Sequence, residues 1–142
     1  MPRLAVAVTA ALSLVLAAPA AAATPKDGTF KAPKGKIQSG YDLKFKVAGG
    51  GKRITGLVAH VLEYCDGSLS SQVTTLGPDL TWKVRNGRFS GRKKETADGI
   101  SVYTTLEGRF TSASTAKGIV RQESIVAGST CDTYELEFTA RR

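Results

Sequence analysis

Residues 81–91 read "TWKVRNGRFSG", and this stretch decides the fold class. Asn86-Gly87 is the strongest short signal for a two-residue β-hairpin turn, because both central residues of a type I′ turn need a positive φ. With that turn the register follows. Arg85 faces Arg88, Val84 faces Phe89, Lys83 faces Ser90 and Trp82 faces Gly91. Apolar meets apolar, and a large ring covers a glycine. The pattern therefore predicts two antiparallel strands with Trp82, Val84 and Phe89 inward and the basic side chains outward.

Outward from the hairpin, the same period of two recurs. "YDLKFKV" sets Leu43, Phe45 and Val47 against Asp42, Lys44 and Lys46. "ITGLVAHVLEYC" is apolar at nearly every position. Its β-branched residues and flanking glycines favour a strand covered on both faces over a short helix. "SQVTTL" is a weaker strand before the turn signal Gly77-Pro78-Asp79. "ISVYTTLEGRFT" places Ile100, Val102, Thr104, Leu106 and Phe110 in phase. "GIVRQESIV" follows a Ser/Ala/Thr loop, and "CDTYELEFTA" sets Tyr134, Leu136 and Phe138 against Glu135 and Glu137. No 3.6-residue period stands out beyond the first residues. The expected fold is an all-β antiparallel β-sandwich, with a small β-barrel as the alternative.

The chain spells Gly-Arg-Phe twice, at 87–89 and 108–110. In the first copy the glycine completes a turn. In the second, Glu107-Gly108 is a poor turn pair and the alternation runs through it. Gly108 is then a strand-interior glycine, at a bulge or beneath another side chain. Both copies put Phe inward and Arg outward, which reads as a shared in-out pattern and not as a duplicated binding site.

The first 23 residues carry one charge, Arg3, then an apolar run from Leu4 to Ala18, with Ala21 and Ala23 at small-residue positions before Thr24. This is the pattern of a secretory leader cut after Ala23, leaving residues 24–142 as one domain. An uncleaved anchor is the rival reading. The run is shorter than the roughly 20 residues of a comfortable span. No cysteine lies near the cut to carry a lipid. Without Arg3, 19 basic and 12 acidic residues remain, so 19 − 12 leaves a net charge of +7. Export puts Cys65 and Cys131 in an oxidising compartment, where an even count of two reads as a disulfide. Two cysteines without histidines at ligand spacing do not make a zinc site.

The segments "VRNGRFSG", "LEGRFTSASTAKGIVR" and "TCDTYELEFTARR" together resemble a group of small secreted proteins of high-GC Gram-positive bacteria. That group shows a Gly-x-Phe-Ser segment, a Gly-x-Phe-Thr segment, an Ala-x-Gly opening the next strand, and a late Cys before a strand ending in Thr-Ala. Phe138 stands where a Trp often stands there. The likeness is loose over 28–142 and better over 84–142. It implies a β-rich exported domain. It implies no catalytic residues, since the group has no established activity.

Chemistry-bearing residues are sparse. The one histidine, His60, lies inside an apolar strand, where a core or sheet-face role is the plain reading. No Gly-x-Ser-x-Gly or His-Glu-x-x-His spacing accompanies it. Glu135 and Glu137 share a strand face, but a solvated one. Asp66 and Asp132 follow the cysteines and could offer oxygens to calcium, yet Asp66-Gly67 is foremost a turn. No metal and no cofactor is expected. The remaining clue is basic: Arg85, Arg88, Arg92, Lys93 and Lys94 crowd the hairpin and its exit. Like charges directly opposed, as at Arg85 and Arg88, cost stability. Such a patch attracts an anionic wall polymer, an acidic glycan or a lipid surface. Alternatively it is a solubilising edge. Export removes nucleic acid as the usual target, and no aromatic-interleaved RNA signature is present. The expectation is a secreted, non-enzymatic binding module. The alternative is a small secreted hydrolase or inhibitor with its site on loops.

Overall fold

The computed structural model describes residues 22–33, 37 and 42–142. The expected leader lies outside the described residues as far as residue 21. Ten strands follow in order: β1 (Gly28–Ala32), β2 (Leu43–Ala48), β3 (Arg53–Cys65), β4 (Ser68–Thr75), β5 (Trp82–Arg85), β6 (Arg88–Ala97), β7 (Ile100–Ser112), β8 (Thr115–Val126), β9 (Ser129–Asp132) and β10 (Leu136–Arg141). There is no helix among the described residues. The expected all-β antiparallel domain is thus what the chain forms. All ten strands belong to one hydrogen-bonded sheet. β10 pairs with both β8 and β1, so the pairings return to their starting strand around the core. Before β1, the amides of Ala23 and Lys26 donate to the carbonyls of Phe110 and Ala113.

The inner face is built by the alternation read in the sequence. Leu43, Phe45 and Val47 are buried while Lys44 and Lys46 are exposed. In β3 the buried apolar set is Ile54, Leu57, Ala59 and Val61. The step of three between Ile54 and Leu57 reflects a bulge, because the β2 register shifts between Lys44 and Lys46. β3 is therefore half-covered, with His60 and Tyr64 on the solvent side, and not enclosed on both faces as its apolar run suggested. β4 adds to its edge over five register pairs.

All five phenylalanines meet in one network. Phe30 stacks on Phe45 at 5.5 Å, and Phe110 meets Phe30 and Phe89 edge-on at 5.4 Å each. Phe138 meets Phe45 edge-on at 6.0 Å. Edge-to-face contacts at these distances add about 0.5–1.5 kcal/mol each beyond area burial.

The hairpin forms as read. Asn86 and Gly87 take φ values of 49° and 68°, and Val84 opposes Phe89. Trp82 lies over Gly91 and donates its indole N–H to the Gly91 carbonyl at 2.9 Å. The second Gly-Arg-Phe copy lies alongside the first: Arg88 opposes Arg109, and Phe89 opposes Gly108. Gly108 is strand-interior, and the Phe89 ring covers it. The repeated spelling thus joins two neighbouring strands of one core.

The disulfide Cys65–Cys131 is present, between register partners of β3 and β9. One alternation departs from expectation. Tyr134 is not an inward residue of the last strand. It lies outside β10, 56% exposed, with φ at 55°. The Asp132 carboxylate accepts its amide at 2.7 Å and turns the chain before β10 begins.

Candidate functional site

Four strands place the basic residues. Arg85 on β5 opposes Arg88 on β6, Arg88 opposes Arg109 on β7, and Arg109 opposes Lys117 on β8. Register partners share a face, so these four cations form a row across the outside of the sheet. All four are exposed. At about 4.8 Å between neighbouring strands, the row runs roughly 14 Å. The ion pairs among the described residues involve His60, Arg92 and Arg121, and none involves a member of this row. Arg88, Arg109 and Lys117 of the row border a broad open concavity of about 1490 Å³, which Lys31 and Arg141 also line. Its next register level holds Ser90, Glu107, Ile119 and Glu137. The two carboxylates there confine the positive field to a stripe.

The hairpin patch expected from sequence is divided by this geometry. Its five residues are all exposed, as expected. Arg85 and Arg88 belong to the row. Arg92 instead pairs with Glu123 at 2.9 Å and lies 4.2 Å over the Tyr103 ring. Lys94 sits 5.4 Å from the same ring. Lys93 is at the register position of buried Thr104 and so lies on the opposite face. In their place the structure recruits Arg109 and Lys117. Their signal in the sequence is their phase: both stand on the outward parity of strands joined by the Ala113-Ser114 turn.

The other candidates have structural partners. His60 is on the sheet surface and its Nδ1 meets Asp42 Oδ1 at 2.8 Å. Among the described residues no hydroxyl or thiol hydrogen-bonds to that imidazole. Asp66 occupies a turn at φ 48° and accepts from the Thr130 amide at 3.2 Å. Asp132 is clasped by Arg121 through Nε at 2.9 Å and through Nη2. The two aspartates therefore serve turn and ion pair. An unforeseen feature is Glu63, a buried carboxylate on the inner face that accepts from Gln122 Nε2 at 2.7 Å.

Burial pushes the Asp132 carboxyl up, but the Arg121 hydrogen bond, the Tyr134 amide and the Arg121 charge outweigh it, and its pKa lies below the ordinary value. The Arg121 guanidinium is raised in turn, first by its hydrogen bond to Asp132. A carboxyl depressed on folding adds stability above its unfolded value, about 3.9, and loses it as pH falls through the folded value. Asp132→Asn should therefore be less stable than the wild type at neutral pH, with the gap closing below about pH 4. Urea midpoints across pH measure this; a gap that stays constant down to acid pH would contradict it.

No family model, curated protein or solved structure matches the chain. No helix among the described residues is long and apolar enough to cross a membrane.

Proposed function

We propose that the protein is a secreted, non-enzymatic module that binds a linear anionic polymer of the cell surface along the Arg85–Arg88–Arg109–Lys117 row. The observation that carries this reading is four register-aligned cations without an ion-pair partner among the described residues, beside an open concavity. Holding like charges opposite one another costs stability. A polyanion laid across the strands relieves that repulsion and gains from releasing counterions. The leader pattern and the disulfide support an exported chain. The net charge of +7 after the leader draws anionic partners generally, and the row supplies a direction for them.

The test uses poly(glycerol phosphate) as probe. Arg88→Ser/Arg109→Ser/Lys117→Ser should weaken binding at low salt by about tenfold or more, taking at least about 0.5 kcal/mol per exposed charge contact. The slope of log affinity against log salt should fall by the order of one unit per cation removed. Arg92→Ser/Lys93→Ser/Lys94→Ser, with as many charges removed, should bind nearly as the wild type does. Equal losses in the two triple variants would reduce the effect to net charge and sink the row as a site.

A further inference from the structure

A second outer surface, at the disulfide end of the sheet, has a different character. Tyr103 on β7 opposes Glu123 on β8, Glu123 opposes Asp132 on β9, and Asp132 opposes Tyr64 on β3. Both carboxylates are neutralised: Arg92 and Arg121 pair with Glu123, and Arg121 also clasps Asp132. Lys94, the register partner of Tyr103, adds a third cation and Glu135, close enough to act on Arg121, a third carboxylate, so three charges of each sign leave no net charge here. The side chains of Arg92, Arg121, Glu123 and Asp132 are still 15–52% exposed, so their outer edges reach solvent. Beside them, the Tyr64 and Tyr134 rings lie 5.7 Å apart at 53°, with Tyr64 36% and Tyr134 56% exposed.

Tyr134 is the telling residue. Its φ of 55° is uncommon for a bulky side chain and costs of order 1 kcal/mol. It recovers little of that by burial. The conformation is imposed by its neighbours: Asp132 Oδ1 accepts the Tyr134 amide at 2.7 Å, and Thr133 Oγ1 donates to the Tyr134 carbonyl at 3.0 Å. Arg121 fixes Asp132. A salt-bridged aspartate thus holds an aromatic ring outward in a strained backbone, beside a second exposed ring.

We infer that Tyr64 and Tyr134, with Glu123 and Arg121, form a binding site for a neutral polysaccharide, separate from the cation row. A sugar ring presents an apolar C–H face, which stacks on the electron-rich face of a tyrosine. Its hydroxyls both donate and accept, so they suit a carboxylate and a guanidinium side by side. A polyanion gains nothing from this neutral network. Asp132 acts as a positioning residue, through the backbone of Tyr134.

The probes are cello-oligosaccharides and chito-oligosaccharides, titrated into the whole protein while the tyrosine ring resonances are followed. One of the two series should shift Tyr64 and Tyr134 saturably, with affinity unchanged from about 50 to 500 mM salt. That salt independence separates this site from the row, whose binding weakens over the same range. Tyr134→Ala should weaken binding about tenfold, the scale of one aromatic contact, and Tyr134→Phe should keep it. Tyr134→Gly relieves the strained φ, which offsets the lost ring contact and the added freedom of the unfolded chain, so it should fold with an unfolding midpoint near that of the wild type and still lose binding. No saturable shift with either series, or wild-type affinity in Tyr134→Ala or Tyr134→Gly, would overturn the assignment.

Discussion

Replacing Cys65 and Cys131 by serine is expected to lower the unfolding free energy by about 4 kcal/mol. The bridge joins residues 66 apart in sequence, a long loop for the unfolded chain to be relieved of. The native side of the balance points the same way. β9 has four residues, and its pairing with β3 rests on two register pairs, Tyr64 with Asp132 and Cys65 with Cys131. The disulfide is one of those pairs. Without it, β9 keeps β8 as its main partner, and its tie to the β3 end falls to the Tyr64–Asp132 pair and the Asp66–Thr130 hydrogen bonds. Small domains hold only about 5–15 kcal/mol in total, so the loss should be visible as a large drop in the denaturant midpoint. The comparison is oxidised wild type against the double serine variant in urea. A difference below about 1 kcal/mol would mean that the sheet circuit alone fixes the β3–β9 corner.

What could be read in the sequence was local. Asn86-Gly87 sets a register within four residues on either side, so the opposition of Arg85 and Arg88, the Val84–Phe89 contact and the Trp82 cover over Gly91 all followed from one turn. The two Gly-Arg-Phe copies were legible in parity but not in placement. That Arg88 lies opposite Arg109 depends on the β6–β7 turn at Asp98-Gly99, and ten register pairs carry the alignment from there. The cation row needed that alignment, and then β8 as well. Lys93 was grouped with its neighbours because adjacency in sequence conceals the period of two, which sends it to the other face. Tyr134 obeyed a different rule from its parity, since a side-chain carboxylate captured its amide before the last strand began. Glu63 and Gln122 were the least legible. They are 59 residues apart, and a buried carboxylate becomes tolerable only through a partner that no local pattern announces.

Gly118→Ala should be among the most damaging single-methyl changes this chain can receive, at about 3 kcal/mol or more. Gly118 on β8 is the register partner of Gly108 on β7. A methyl on Gly118 would run into the Glu107 carbonyl oxygen, and one on Gly108 into the Lys117 carbonyl oxygen. These are backbone atoms of the opposite strand, so no rotamer change relieves the overlap. Relief requires β7 and β8 to separate, and theirs is the longest pairing in the sheet. Gly108 carries a second constraint, since its methyl would also lie 2.7 Å from Phe89 Cζ within the aromatic network. Gly91 is the control. A methyl there would meet Trp82 Cδ1 at 3.4 Å, an ordinary contact, so Gly91→Ala should cost less than about 1 kcal/mol. The glycines of the two Gly-Arg-Phe copies thus both sit at close approaches, Gly87 in a turn against the Ala23 carbonyl oxygen and Gly108 inside a strand against the Lys117 carbonyl oxygen. The approach also sets the site, because Arg109 and Lys117 are the next register pair along from Gly108 and Gly118. Gly118→Ala should therefore weaken polyanion binding at temperatures where the variant is still folded, whereas Gly91→Ala should not. Urea melts and low-salt binding of the three alanine variants decide it. Equal costs at Gly91, Gly108 and Gly118 would show that the strands can part without penalty, and that close packing of β7 on β8 does not hold the cation row in line.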